Sequence, residues 1–455
     1  MRLRIFKADK GDCLLLTSNR GANVLIDGGM RDAFYQHVLP YLARIHRRRE
    51  RLDLMYCSHI DRDHIWGLMA LMDELVAWRV HEYQIQHGNA SHPRPEHPRP
   101  PDVAKIWHNG FHEQTDLNMG DVEDLLSNQA KTLSGHSDPL VQSLASGVDD
   151  LAASVGDAIH FSRRIGEGQL KIPLNPEFDG GFMYHYQGRP IQVGGLRVTV
   201  VGPFKEDLMN LRVEWNDWLR RNQRELGRIH RRTRGGEGTF GQGDLDGLLE
   251  RLSDQAGELA QTDDVASAVD ALAQHLSNKV LGNRQKVTVP NLASLMLLVE
   301  EGNKSVLLTG DGHFQDVLDG LELADKLDAS GSLHVNVLKV QHHGSEHNTH
   351  LDFCRAVTAN HYVFCGNGAH ENPDLDVVDA FLDSRIGTPA RRSENAQVNQ
   401  RFKLWFNYAS SNAELETKER RHMRELERLV RRRGRRSRGR MRYEFVTQSH
   451  RAIPV

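Results

Sequence analysis

Four side chains able to bind a metal ion, His59, Asp61, Asp63 and His64, crowd the stretch Cys57-Ser58-His59-Ile60-Asp61-Arg62-Asp63-His64. Imidazole nitrogen and carboxylate oxygen are ligands for zinc, manganese and iron. The stretch follows the apolar run Leu52-Asp53-Leu54-Met55-Tyr56, which reads as a buried strand. The ligands then lie on the loop leaving a strand's C-terminal end, where a rigid sheet can hold catalytic groups. Further groups of the same chemistry recur along the chain as His108, Asp311, His342 and His343, the last three just beyond predicted strands. About seven such ligands suffice for two ions that share a carboxylate. Two ions ~3.5–4 Å apart bring the pKa of a bridging water towards neutrality and stabilise both oxygens of a displacement.

The elements that must position these groups form a layered α/β pattern. Arg2–Phe6, Cys13–Thr17 and Ala22–Ile26 read as strands. The turn Asp9-Lys10-Gly11-Asp12 joins the first two, and the third runs into the tight turn Asp27-Gly28-Gly29. Helical spacing covers Ala33–Arg49, and a second helix spans Ile65–Leu75. Residues 86–101, dense in proline and histidine, read as an extended surface loop. In Ile106-Trp107-His108-Asn109-Gly110-Phe111-His112, either His108 or His112 is placed to be a ligand. Residues 116–165 read as mainly helical, and Pro190–Val201 as strand with a hairpin at Gly194-Gly195. Residues 204–281 form a polar, helix-rich insertion whose glycine-rich break lacks a phosphate-loop lysine. The pattern then resumes with strands Leu292–Glu300, Ser305–Leu308, Val335–Val340, Tyr362–Cys365 and Phe402–Phe406. Phe402–Phe406 is read as the last core strand, and helices cover Phe314–Leu327 and Leu375–Asp383.

The composition, 39% apolar and 26% charged over 455 residues, is that of an ordinary globular enzyme. Four scattered cysteines form neither a disulfide framework nor a Cys-x-x-Cys zinc site and fit a reducing cytoplasm. The first residues read as strand rather than secretion signal, and no apolar run reaches the ~18 residues that span a bilayer. A net charge of −3 conceals a basic end, with thirteen Lys or Arg against three Glu between Lys418 and Arg442. That end reads as a basic helix breaking up near Gly434.

Taken in order, Asp27-Gly28-Gly29, the His59–His64 cluster, His108, Gly310-Asp311 and His342-His343-Gly344-Ser345 resemble the metallo-β-lactamase superfamily of dinuclear hydrolases. The common cluster of that family is His-x-His-x-Asp-His, and this chain has Asp61 in place of the second histidine. The variant form is similar to the branch containing the metallo-hydrolase domain of bacterial competence (DNA-uptake) channel proteins. Asn291-x-x-Ser294, Leu307-Leu308-Thr309-Gly310-Asp311, Leu338-Lys339-Val340-Gln341-His342-His343-Gly344-Ser345 and Gly366-Asn367 with His370-Glu371-Asn372-Pro373 also resemble that branch. The resemblance covers about residues 1–110 and 285–410 and lacks the membrane channel.

It implies a four-layer αββα sandwich with a helix-rich insertion and a basic C-terminal helix. Its parts would be an N-terminal half (1–115), an insertion (116–284), a C-terminal half (285–410) and a basic tail (411–455). One metal would be held by His59, Asp61 and His108. The other would be held by Asp63, His64 and one of His342 and His343, with Asp311 bridging. Asp61 hardens one site, favouring manganese or iron beside zinc. Asp27 and Ser345 would support the ligands, Asp63 would take part in catalysis, and His370 would donate a proton or contact phosphate.

The expected activity is hydrolysis by a metal-bridging hydroxide, with phosphodiester as the favoured substrate. The basic tail suits non-specific nucleic-acid binding through Arg431, Arg432, Arg433, Arg435 and Arg436. Two alternatives stand beside it: hydrolysis of a small ester, lactone or cyclic nucleotide, and a metal-stabilised effector or scaffold that docks a protein partner through 204–281.

Overall fold

The computed structural model describes residues 1–109, 161, 164–166, 168–186, 188–205, 208, 291 and 293–455. The helices expected in 116–165 and the insertion 204–281 lie almost wholly outside the described residues, as does His112. Met1–His112, Asp157–Leu211 and Leu281–Val455 form one compact unit; Glu113–Gly156 and Arg212–Val280, assigned to a second, are outside the described residues.

Strict alternation of apolar side chains builds the middle of the unit, because successive strand residues face opposite sides. In β1 (Arg2–Phe6), β2 (Leu14–Thr17), β3 (Asn23–Ile26) and β4 (Leu54–Tyr56), one set of residues points inward. Ile5, Leu14, Leu16, Val24, Ile26 and Tyr56 belong to it, while Leu15, Leu25 and Met55 point outward to the helices. β5 (Ile106–Trp107) completes this half. The sheet order is β14-β1-β2-β3-β4-β5, parallel only at β3–β4 and β4–β5.

The second sheet comprises β6 (Ile191–Val193), β7 (Leu196–Gly202), β8 (Met296–Glu301), β9 (Lys304–Leu308), β10 (Leu333–Lys339), β11 (Val357–Phe364), β12 (Phe402–Phe406) and β13 (Met441–Phe445). It runs in the order β13-β12-β11-β10-β9-β8-β7-β6. Val299, Val306, Leu308, Val337 and Val363 from its inner face meet the first sheet's inner set in one core. Each fully buried Val or Leu there contributes roughly 1.5–3 kcal/mol.

Helices cover both outer faces. On the first sheet lie α1 (Leu39–Arg47) and α2 (Arg62–Gln86). On the second lie α3 (Phe314–Leu323), α4 (Leu351–Ala356), α5 (Leu375–Ile386) and α6 (Thr417–Arg436). This is the αββα sandwich. The expected first helix is interrupted: a π-helical turn at Phe34–Val38 precedes α1. The second helix runs eleven residues past the expected Leu75, to Gln86, because no Gly or Pro intervenes before Gly88. At the Gly194-Gly195 hairpin both residues have positive φ, as a two-residue turn requires.

The largest correction concerns residues 411–455, which are part of the sandwich rather than a tail. A capping box from Glu416 and Glu419 starts α6, and Met423, Leu426, Leu429 and Val430 bury one face in the outer core. The chain then adds β13 parallel to β12 and crosses to pair β14 (His450–Pro454) with β1. Phe402–Phe406 is therefore not the last strand, and both sheets are closed by the segment expected to lie outside them.

His361 on β11 gives the sandwich an acid sensitivity. Trp405 Nε1 donates to its Nδ1 at 3.1 Å, which requires the neutral ring. Burial, then the Lys403 and Lys304 charges, push its pKa down to about 4. An unfolded histidine takes its proton near ~6.5, so this contribution is complete above that pH and is lost as pH falls towards 4. Allowing for partial exposure, it amounts to about 1–2 kcal/mol. In urea unfolding at pH 7.5 and pH 4.5, His361→Gln is expected to lose that much less stability than the parent.

Candidate metal centre

The loop after β4 is fixed from both sheets by contacts that involve none of its histidines. Ser58 donates its backbone N–H to Asp27 Oδ1 (2.7 Å) and its hydroxyl to Asp27 Oδ2 (2.9 Å), and its carbonyl accepts from Leu295 N (2.9 Å). Tyr56 donates its hydroxyl to the Leu295 carbonyl. The first turn of α2 then presents Asp63 and His64. Its approach needs glycine at two places. A Cβ on Gly11 would lie 1.7 Å from the Asp63 carbonyl, and one on Gly67 would lie 2.0 Å from the Gly28 carbonyl. In the Asp27-Gly28-Gly29 turn, positive φ falls at Asp27 (53°) and Gly29 (67°), whereas Gly28 serves the close approach to α2.

Every site histidine is held by its Nδ1. Asp27 Oδ2 accepts from His64 at 3.0 Å, and Ser58 Oγ, its proton already given to Asp27, accepts from His59 at 3.0 Å. Asn348 donates Nδ2–H to the Asp311 carbonyl, which turns its Oδ1 to accept from His342 at 2.7 Å. The Cys365 carbonyl (2.9 Å) and Asp12 Oδ1 (3.1 Å) accept from His343. Nδ1 is thus the protonated nitrogen in each ring, and Nε2 carries the free lone pair, the arrangement of a metal-binding histidine.

All four Nε2 atoms converge on one carboxylate oxygen. Asp311 Oδ2 lies 3.3 Å from His64, 3.3 Å from His343, 3.7 Å from His342 and 3.8 Å from His59. His343 Nε2 is also 3.2 Å from Asp63 Oδ2, and His59 Nε2 is 3.5 Å from Asp61 Oδ2. His64 and His343 bring Nε2 atoms within 3.4 Å of each other, an approach that a proton or a metal cation shared between them stabilises. The donor set therefore fits divalent metal.

The electrostatics agree. Burial disfavours a charged imidazole, yet Asp311, with Asp27 behind His64 and Asp12 behind His343, raises both rings well above the ordinary histidine range. Burial would raise Asp63 and Asp311, but the surrounding histidines outweigh it and hold both carboxyls below the ordinary range. The cluster is built to hold positive charge.

His108 is buried at the end of β5, its backbone bonded to Asn175 and its ring 4.9 Å from that of Phe161. Ser345 caps the His342–His343 turn by donating its N–H to the His342 carbonyl at 2.8 Å. His370 is exposed on the loop after β11, beside Glu419 in the first turn of α6. Among the described residues no hydrogen bond or ion pair joins it to the cluster. Arg431, Arg432, Arg435 and Arg436 are exposed, whereas Arg433 is engaged by Asp379 (3.3 Å) and Asp383.

Four residues of the site, Asp12, Ser58, Lys339 and Asn348, were not singled out from sequence. Asp12, His64, Asp311 and His343 bring ligand atoms within 4.8 Å of one another, all buried. Lys339 was the visible anomaly, a charge inside the apolar run Val335–Val340.

Residues 7–128 match the family model of the metallo-beta-lactamase superfamily. The match supports that superfamily, whose αββα sandwich this fold is, and with the buried cluster it points to a metal-dependent hydrolase. No curated protein matches the chain. Among the described residues, no helix is long and apolar enough to cross a membrane.

Proposed function

We propose that the protein is a dinuclear phosphodiesterase that cleaves polynucleotides, related to the competence-channel branch of the superfamily. The observation that carries the substrate class is a stripe of exposed arginines on α6: Arg421, Arg424, Arg428, Arg431 and Arg435. Their spacing keeps all five on one helical face. The helix that carries the stripe begins beside a loop that reaches the metal centre, and it meets that loop through Glu419 and His422 on its other face. Gly368 packs on the Glu419 backbone, and Pro373 accepts from His422 Nε2 at 3.0 Å. The same loop touches the centre through Asn367, which donates to Asp9 (2.6 Å), and Asp374, which donates its N–H to the Gly344 carbonyl (3.0 Å).

Charge supports two ions. Asp12, Asp27, Asp61, Asp63 and Asp311 against Lys339 leave four negative charges, the complement of two divalent cations. Zinc or manganese suits the mixed imidazole–carboxylate set, and iron is a third candidate. When bound, the ions supply Lewis acidity at phosphorus and acidify a water. Asp311 keeps Oδ2 between the four imidazoles. Asp63, partly exposed and 3.2 Å from His343 Nε2, orients the attacking water, while His370, exposed on the loop after β11, passes a proton to the leaving oxygen. The arginines hold the rest of the polynucleotide by its phosphates.

Metal-loaded protein is tested on single-stranded DNA, RNA, bis-p-nitrophenyl phosphate, a cyclic nucleotide, a lactone and a thioester, each at two salt concentrations. Salt-sensitive cleavage of a polynucleotide is expected. Turnover confined to the small esters establishes the small-molecule alternative, and retained metal without turnover establishes the scaffold.

A further inference from the structure

A buried ion pair lies behind the metal centre. Asp12 and Lys339 are each 1% exposed, and the Lys339 ammonium is bonded to Asp12 Oδ2. Lys339 also donates to the Gly310 carbonyl at 3.0 Å and stands 3.6 Å from Asp311 Oδ1. We propose that Asp12 and Lys339 are positioning residues, Asp12 fixing His343 from behind and Lys339 fixing both Asp12 and the rotation of the Asp311 carboxylate. The inference rests on the metal-centre reading above.

Three observations carry it. Asp12 meets His343 at Nδ1, whereas Nε2 on the opposite edge faces Asp63 and Asp311. Asp12 therefore stands behind the imidazole although its oxygen lies within 4.8 Å of the other three ligand atoms. Both of its oxygens are engaged, Oδ1 by an N–H and Oδ2 by an ammonium. Its place matches that of Asp27 behind His64, so both facing imidazoles have a carboxylate at Nδ1. Lys339 completes the device from the other side. Its charge draws Asp311 Oδ1, which leaves Oδ2 for the imidazoles. A buried ion pair adds little net stability, which points to placement of the ligands as the reason for this one.

The experiment measures Mn(II) and Zn(II) stoichiometry and affinity in the full chain, beside thermal unfolding of the metal-free protein. The double variant Asp12→Asn with Lys339→Met removes both charges together, so neither member of the pair is left as an unpaired buried ion. It is expected to unfold near the parental temperature and still bind two ions, one of them about 10–100-fold more weakly. Asp12→Asn alone, whose amide oxygen still accepts from Nδ1, loses less affinity than Asp12→Ala. The proposal is overturned if Asp12→Asn and Asp12→Ala each bind a single ion at saturation, because Asp12 is then a ligand. It is equally overturned if the double variant binds both ions as the parent does. A parent chain that binds no divalent ion refutes the metal centre itself, a result separate from either.

Discussion

Asp311→Ala is expected to strip the folded protein of divalent metal and to lower metal-dependent hydrolysis of bis-p-nitrophenyl phosphate by more than about 100-fold. The lower bound follows from comparison, since loss of a partner behind a ligand costs roughly 10–100-fold and Asp311 faces four ligands at once. Its Oδ2 is the only carboxylate oxygen among the described residues within 4 Å of His59, His64, His342 and His343 Nε2 together. Without it, the four imidazole Nε2 atoms are left with no shared counter-charge. Asp311→Asn separates charge from packing: it keeps the shape and should lose metal nearly as completely. Asp63→Ala removes a carboxylate that lies 3.2 Å from His343 Nε2 and also acts on His64, so it should weaken binding of the ion those two rings hold more than binding of the other. The combination Asp63→Ala with Asp311→Ala decides the assignment. Hydrolysis unchanged in that variant, measured beside metal content by mass spectrometry, means the chemistry lies elsewhere in the chain.

The parts of this centre that sequence reveals are those where unlike residue types break a pattern. His59 to His64 is legible because four ligand types follow an apolar strand, and Asp311 and His342–His343 because they end apolar runs in the same way. The groups behind the ligands are harder to see. Asp12 in Asp9-Lys10-Gly11-Asp12 is indistinguishable from a turn residue until Gly11 is found against the Asp63 backbone. Asn348 is one polar residue among several, and its role exists only through the two hydrogen bonds that join Asp311 to His342.

The fold was legible to the same degree and for the same reason. Strands with inward alternation, such as Arg2–Phe6 and Phe402–Phe406, have the expected bounds. The basic C-terminal helix is legible, but its docking on the core is not, because arginine masks the apolar stripe of Met423, Leu426, Leu429 and Val430. The two strands after it, Met441–Phe445 and His450–Pro454, are short, polar and at sheet edges. Edge strands of that kind avoid unwanted pairing, and by the same token they give little signal. The π-helical turn at Phe34–Val38 leaves no trace in a 3.6-residue pattern.

Replacing Arg421, Arg424, Arg428, Arg431, Arg432 and Arg435 with glutamine should leave hydrolysis of bis-p-nitrophenyl phosphate unchanged and raise KM for single-stranded DNA. The fifteen residues of helix from Arg421 to Arg435 span ~21 Å, room for several successive phosphates. Each phosphate neutralised contributes about −0.7 to the slope of log affinity against log salt for a single strand, so six contacts set a ceiling near 4. The change should fall below that ceiling. Arg421 has a 3.6 Å ion pair with Glu425, and Arg428 and Arg432 share a cleft with Asp376 and Asp379. Folding stability should change little, because these side chains are exposed and their removal relieves like-charge neighbours at helical spacing. Arg433 supplies the control. Its ion pairs with Asp379 and Asp383 join α6 to α5, so Arg433→Gln should lower stability without altering the salt slope. If the six-residue variant cleaves single-stranded DNA with the parental KM and salt slope, the stripe is no substrate surface. The phosphodiesterase reading then loses the observation that supports a polynucleotide.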